Sequence, residues 1–197
     1  MAGRPRSFDR DAALASAVEL FWREGYHETT IAMLTKAMGV TPPSLYAAFG
    51  DKDQLFDQAS AEYFRRVAEA VDDAATRPTA REAITVMLDA TARAHTDTMT
   101  PLGCLMLTEP RLAAQREEMQ GRLRRRIARG VSDGDLPESV EPDELASFLM
   151  AVMRGMSGCA RDGGSTAEVL AIARYAVATI PAVPLTGDAA DQKAMRE

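Results

Sequence analysis

The stretch YHETTIAMLTKAMGVTPPSLYAAFGDKDQLF, residues 26 to 56, constrains this chain most. Two short amphipathic helices meet at a tight Gly turn, and a third helix opens directly behind them. Thr30 caps a first helix whose Ile31, Leu34 and Met38 share one face. Gly39 follows that face, where a residue with positive φ ends a helix and turns the chain. Thr41 caps a second helix, and Pro42 in its first position loses no hydrogen bond. Leu45 and Phe49, at i and i+4, point to the core, which leaves Thr41, Pro42, Pro43, Ser44, Tyr46, Ala47 and Ala48 on the outer surface. Gly50 ends this helix, and Asp51 caps a longer one from Lys52 towards residue 75.

Helix, tight turn, helix is the pattern of a DNA reader whose second helix enters the major groove. A plain three-helix bundle would show the same periodicities.

The residues carry a further likeness. The run T-T-I-x-x-L-x-x-x-M-G-V-x-x-x-S-L-Y-x-x-F-x-x-K-x-x-L resembles the N-terminal domain of the TetR family of bacterial transcriptional regulators. The preceding helix fits as well, with Leu14, Ala17, Val18 and Phe21 on one face and an end at Gly25-Tyr26. The likeness covers about residues 8 to 60. It implies an all-α chain of about nine helices: a DNA-binding domain over 1–52, a ligand-binding and dimerisation domain over 53–182, and a tail over 183–197.

Composition agrees once it is divided. The chain of 197 residues has a net charge of −6, which looks wrong for a DNA binder. Residues 1–52 hold six basic and six acidic side chains, so the whole deficit lies behind them (17 basic, 23 acidic). An acidic rear repels DNA and leaves a locally basic front, with Arg4, Arg6 and Arg10 densest, to make contact. Arg4 and Arg6 read as an arm that follows phosphates or enters a minor groove, and as a solvated tail in the free protein. No apolar run is long enough to span a membrane, and the N-terminus lacks the apolar stretch of a signal peptide. Cys104 and Cys159 fit a reducing cytoplasm, and His27 and His95 offer no metal-site spacing, so neither metal nor cofactor is expected.

Behind the reader, helices are expected at 79–97, 104–108, 111–130, 143–160 and 165–179, with a capping box at Ser165 and Glu168. The Arg-rich segment 111–130 reads as a solvated helix face with acidic neighbours. The segment 143–160 is apolar over more than one stripe, so it must be buried in a core or in a partner. TetR-like regulators use their last two long helices to dimerise. That implies a contact through Leu149, Val152, Met153, Ala173 and Val177.

The resemblance also assigns roles by position. Thr30, Ser44, Tyr46 and Lys52 resemble phosphate contacts, and Thr41, Pro42, Pro43, Ala47 and Ala48 fall where the family reads bases. Ala47 and Ala48 depart from the larger side chains common there, so thymine methyls and DNA shape are the expected readout. A small, apolar effector is implied, with Phe64, Leu88, Thr91, Cys104, Leu105, Phe148 and Met156 as its walls. For any single one of these, ordinary core packing is the commoner explanation. Cys104, in P-L-G-C-L-M, is expected in the first turn of a short helix, where a thiol is activated.

The expected function is therefore a homodimeric repressor that a small molecule releases from a palindromic operator. A thiol-based electrophile or redox sensor acting through Cys104 is one alternative, and a ligand-independent architectural DNA binder is another. An enzyme is disfavoured: the sequence shows no Ser/His/Asp set, no Gly-rich phosphate loop and no metal cluster.

Overall fold

Most helices of this chain start where a side chain accepts their first free N–H groups. Asp9 accepts from the N–H groups of Asp11 and Ala12 and starts α1 (Arg10–Glu28). Thr30 accepts from Met33 and starts α2 (Ile31–Met38), and Thr41 accepts from Ser44 and starts α3 (Pro42–Phe49). Reciprocal capping boxes, Asp51 with Gln54 and Thr79 with Glu82, open α4 (Lys52–Ala74) and α5 (Ala80–His95). Then come α6 (Leu105–Thr108), a 3-10 turn at Pro110–Leu112, α7 (Ala113–Ser132) and α8 (Pro142–Arg161). A third box, Ser165 with Glu168, opens α9 (Thr166–Ala178). The computed structural model describes residues 8–181, and among these the architecture is all-helical, with nine α-helices. The tail beyond 181 and the arm residues Arg4 and Arg6 lie outside the described residues.

The turn between α2 and α3 needs Gly39, which sits at φ 66° and donates its N–H to the carbonyls at the end of α2. The front three helices close on Phe21, Leu34, Leu45, Phe49, Leu55 and Phe56, all at most 2% exposed. Phe21 and Phe56 meet edge to face at 5.1 Å. Behind them α5 packs on α9 and α8, and α7 on α8, around Leu88, Ile127, Leu149 and Met156. Front and rear share one continuous apolar cluster through α1, α4 and α6.

The Arg-rich helix differs from expectation. Its first turn, Pro110–Leu112, is 3-10, and its charged side is only partly solvated. Arg126 is buried and donates to the carbonyls of Arg77 and Pro78, while Arg129 donates to Ala75 at 2.7 Å. The end of α4 and the turn behind it present carbonyls without helical partners, and these guanidinium groups satisfy them. Arg122 binds Asp72 and Glu118, which tethers α7 to α4 on the outside.

Candidate DNA-reading surface and effector cavity

On α3 the apolar pair Leu45 and Phe49 is buried, so the rest of the helix faces out. Thr41, Pro42, Pro43 and Ala47 are exposed, Ser44 and Ala48 are half-buried, and Tyr46 is 50% exposed. Thr41 and Ser44 share a hydrogen bond at 2.9 Å between their hydroxyls, which fixes both at the start of the helix. Thr30 is exposed with its hydroxyl on the Met33 N–H. At the far end Arg10 lies over the Phe49 ring at 4.7 Å and bonds Gln58, pinning the start of α1 to α3 and α4. The result is a smooth apolar ridge flanked by hydroxyls, a phenol and cations.

Lys52 is the first residue of α4, and its ammonium sits 4.2 Å from the centre of the Tyr26 ring. Arg111 covers the same ring at 4.0 Å. The Tyr26 hydroxyl donates to Asp53 at 2.7 Å, and Arg111 donates to the same carboxylate oxygen at 2.7 Å. The Tyr26 hydrogen bond, with help from the Arg111 charge, holds the Asp53 carboxyl below its ordinary range, and Asp53 in turn pushes the Tyr26 phenol up. Buried Glu109, just before the 3-10 turn, accepts the backbone N–H groups of Tyr26 (2.9 Å) and Arg111 (3.1 Å). One knot thus ties the end of α1 and the start of α4 to the rear of the molecule.

A cavity of about 370 Å³ opens between α1, α4 and α5. Its walls come from α1 (Val18, Trp22), α4 (Tyr63, Val67), α5 (Met87, Thr91, His95) and the loop at Gly103 and Cys104. Gly103, at φ 76°, lets the loop approach α8 closely: a Cβ there would fall 2.8 Å from the Ser157 hydroxyl. That hydroxyl accepts the Cys104 N–H at 2.9 Å, and the Tyr63 hydroxyl meets the Cys104 sulfur at 3.2 Å. Trp22 stacks edge-on against Tyr63 at 4.9 Å. Burial, aided by the Arg161 charge, lowers His95 to about 4, so its ring is neutral near pH 7. A drug-sized molecule fits such a volume.

The expected wall residues divide. Thr91 and Cys104 line the cavity. Leu88, Leu105 and Met156 are at most 1% exposed and packed into the core, and half-buried Phe64 packs against that core. Phe148 turns outward at 41% exposure. On α4 the cavity is lined by Tyr63 and Val67 in place of Phe64, and on α5 Met87 takes the place of Leu88 while Thr91 keeps its expected position. The contribution of α1 was missed. A readable signal existed in the alanines 15, 70, 90 and 94, small residues lining the cavity where larger ones would fill it.

Two further expectations need correction. Cys104 caps α6 rather than lying within it, and α6 has only four residues. Burial pushes the Cys104 thiol up, outweighing the hydrogen bonds that favour the thiolate. For the subunit contact, Leu149, Met153 and Ala173 are at most 5% exposed within a single protomer, and Val152 and Val177 are half-buried. The most apolar positions of α8 and α9 serve the protomer's own core. The large apolar side chains left outside are Phe148 on α8 and Tyr175, 77% exposed, on α9.

Comparison with known proteins agrees with this geometry. Residues 13–59 match the family described as bacterial regulatory proteins, tetR family, and residues 107–175 match the tetracyclin repressor-like C-terminal domain. The chain is 34% identical to the HTH-type transcriptional repressor ComR of Escherichia coli K12, over 87% of this chain and 88% of that one. It is 30% identical to the HTH-type transcriptional repressor BdcR of the same organism, over 88% and 90%. Among solved structures, a cysteine mutant of the TetR family regulator CifR complexed with 26-bp operator DNA is 37% identical, with a TM-score of 0.84. That match covers 91% of this chain and all of the other. By sequence and by fold, this chain belongs to the TetR family of bacterial regulatory proteins.

Proposed function

We propose that this chain is a homodimeric transcriptional repressor that binds a palindromic operator through α3 and lets go when a small molecule fills the cavity between α1, α4 and α5. Family membership and the repressor relatives support the DNA-binding half and set the enzyme reading aside. CifR was solved on double-stranded operator DNA, and this chain matches it from end to end. Phosphates are held by Thr30, Ser44, Tyr46 and Lys52, with Arg4 and Arg6 as an arm. Thr41, Pro42, Pro43, Ala47 and Ala48 face the bases. Two such surfaces about 34–36 Å apart meet successive turns of the major groove. No described helix is long and apolar enough to cross a membrane, which suits a regulator that meets DNA in the cytoplasm.

The observation that carries the release mechanism is the shared wall. Val18 and Trp22 belong to α1, and Tyr63 and Val67 to α4, so the two helices that hold the reader also bound the cavity. A ligand that spreads them changes the angle of α3 directly. Moving the protein from almost all bound to almost all released needs about 5.5 kcal/mol of preference for one state.

Fluorescence anisotropy tests this with DNA from just upstream of the protein's own coding region, competitor DNA present and salt fixed. Saturable binding of two protomers per short site is expected. Binding that competitor abolishes would remove the specific-repressor reading for that DNA and favour an architectural binder.

A further inference from the structure

The cavity has a polar feature that packing does not explain. Trp22 Nε1 and His95 Nδ1 are both buried and have no hydrogen-bond partner among the described residues. Both belong to side chains that form the cavity wall, and His95 as a whole is only 5% exposed. Leaving a buried donor or acceptor unmatched is unfavourable, and native proteins rarely do so without a reason. The indole supplies a donor only, whereas the imidazole nitrogen gives or takes according to its tautomer.

Charge around these atoms narrows the choice. The buried ionisable groups of the lining, Tyr63, His95 and Cys104, are all shifted towards their neutral forms by burial. The charged side chains of the lining, Glu19 and Arg66, are both exposed to solvent. Arg161, whose charge acts on all three buried groups, is committed to the Trp22 carbonyl at 2.9 Å and does not line the cavity, so an ion brought among them would lose its water without a counter-charge in contact. Val18, Val67, Met87 and Ala90 offer only apolar contact.

We infer that the cavity selects an uncharged, mainly apolar molecule carrying one oxygen acceptor, which the Trp22 indole N–H of α1 and the His95 ring of α5 hold between them. This rests on the reading of the cavity as the effector site. It also gives that site a direct handle on the reader, because Trp22 sits on α1, three residues before the bend at Gly25. A small turn of the indole, which ligand binding rewards with a hydrogen bond, is passed to the helix that packs against α2.

Trp22 is the sole tryptophan of the chain, so intrinsic tryptophan emission reports on this cavity. Three probes of nearly equal shape separate the possibilities: 4-phenylbutan-2-one (neutral acceptor), 3-phenylpropanoate (anion) and butylbenzene (no acceptor). Titration of the full-length protein, followed by Trp22 emission and calorimetry, should place the ketone about tenfold tighter than either of the others. Trp22→Phe and His95→Phe, followed by calorimetry, should each remove that preference while butylbenzene affinity stays within about twofold.

Tighter binding of the carboxylate, equal binding of hydrocarbon and ketone, or no binding of any probe at millimolar concentration would overturn the inference. So would a ketone preference that survives both substitutions. Operator anisotropy with the same probes separates the two readings. Ketone binding that leaves the DNA complex intact keeps the ligand class and removes the release mechanism.

Discussion

The Glu109 carboxylate accepts the backbone N–H of Tyr26 at 2.9 Å across 83 residues of sequence. This is the shortest polar path between the end of α1 and the 3-10 turn that introduces α7. Glu109 is 4% exposed, and its other oxygen takes the Arg111 N–H at 3.1 Å. Glu109→Ala should therefore cost about 1.5–3 kcal/mol, the range for hydrogen bonds to a charged group. Urea melts would read this. Tyr26→Phe keeps the backbone N–H and loses only the exposed bond to Asp53, so its melt should stay close to that of the parent.

The reader surface makes a different prediction for each kind of contact. Tyr46→Phe and Lys52→Ala should weaken binding to all DNA sequences alike, and Lys52→Ala should also reduce the slope of log affinity against log salt by about 1. The apolar ridge of Pro42, Pro43, Ala47 and Ala48 has no group that hydrogen-bonds a base edge. Replacing operator thymines by uracil should then cost about 1 kcal/mol for each methyl that packs there. Affinities unchanged by uracil would mean that the protein reads DNA shape alone.

The reader was legible because its constraints are local. Caps at Thr30, Thr41 and Asp51 and the left-handed Gly39 lie within a few residues of what they control. The capping box at Ser165 and Glu168 was legible for the same reason. The cavity was not, because it depends on the rotation of four elements about their axes. An error of one residue, about 100° on a helix, exchanges a wall residue such as Met87 for a core residue such as Leu88. The burial of Arg126 was equally hidden, since its partners Arg77 and Pro78 lie 49 and 48 positions away.

The same rotation bears on the proposed subunit contact. Phe148 and Tyr175 are exposed on α8 and α9, whereas Leu149 is wholly buried in its own protomer. Phe148→Glu and Tyr175→Glu should shift the protein to monomers in analytical ultracentrifugation and weaken operator binding sharply, with urea stability of the monomer little changed. Leu149→Ala should do the reverse and cost about 2–5 kcal/mol of protomer stability. Dimers that withstand both glutamates would move the contact to another face.

His95 predicts a response to acid. Its native value of about 4 lies below the ordinary 6.5, so between these pH values the unfolded chain binds a proton that the native state refuses. Stability contributed by the neutral ring is therefore present above pH 6.5 and lost as pH falls towards 4. Between pH 7 and pH 5 that loss amounts to about 2 kcal/mol. His95→Phe has no proton to bind, so its urea stability should fall less by about that amount over the same interval. Parallel pH profiles for the two proteins would show that the ring reaches solvent or an acidic partner. Because His95 also lines the cavity, an anionic ligand would raise the His95 value and flatten this profile, whereas an uncharged ligand should change it far less.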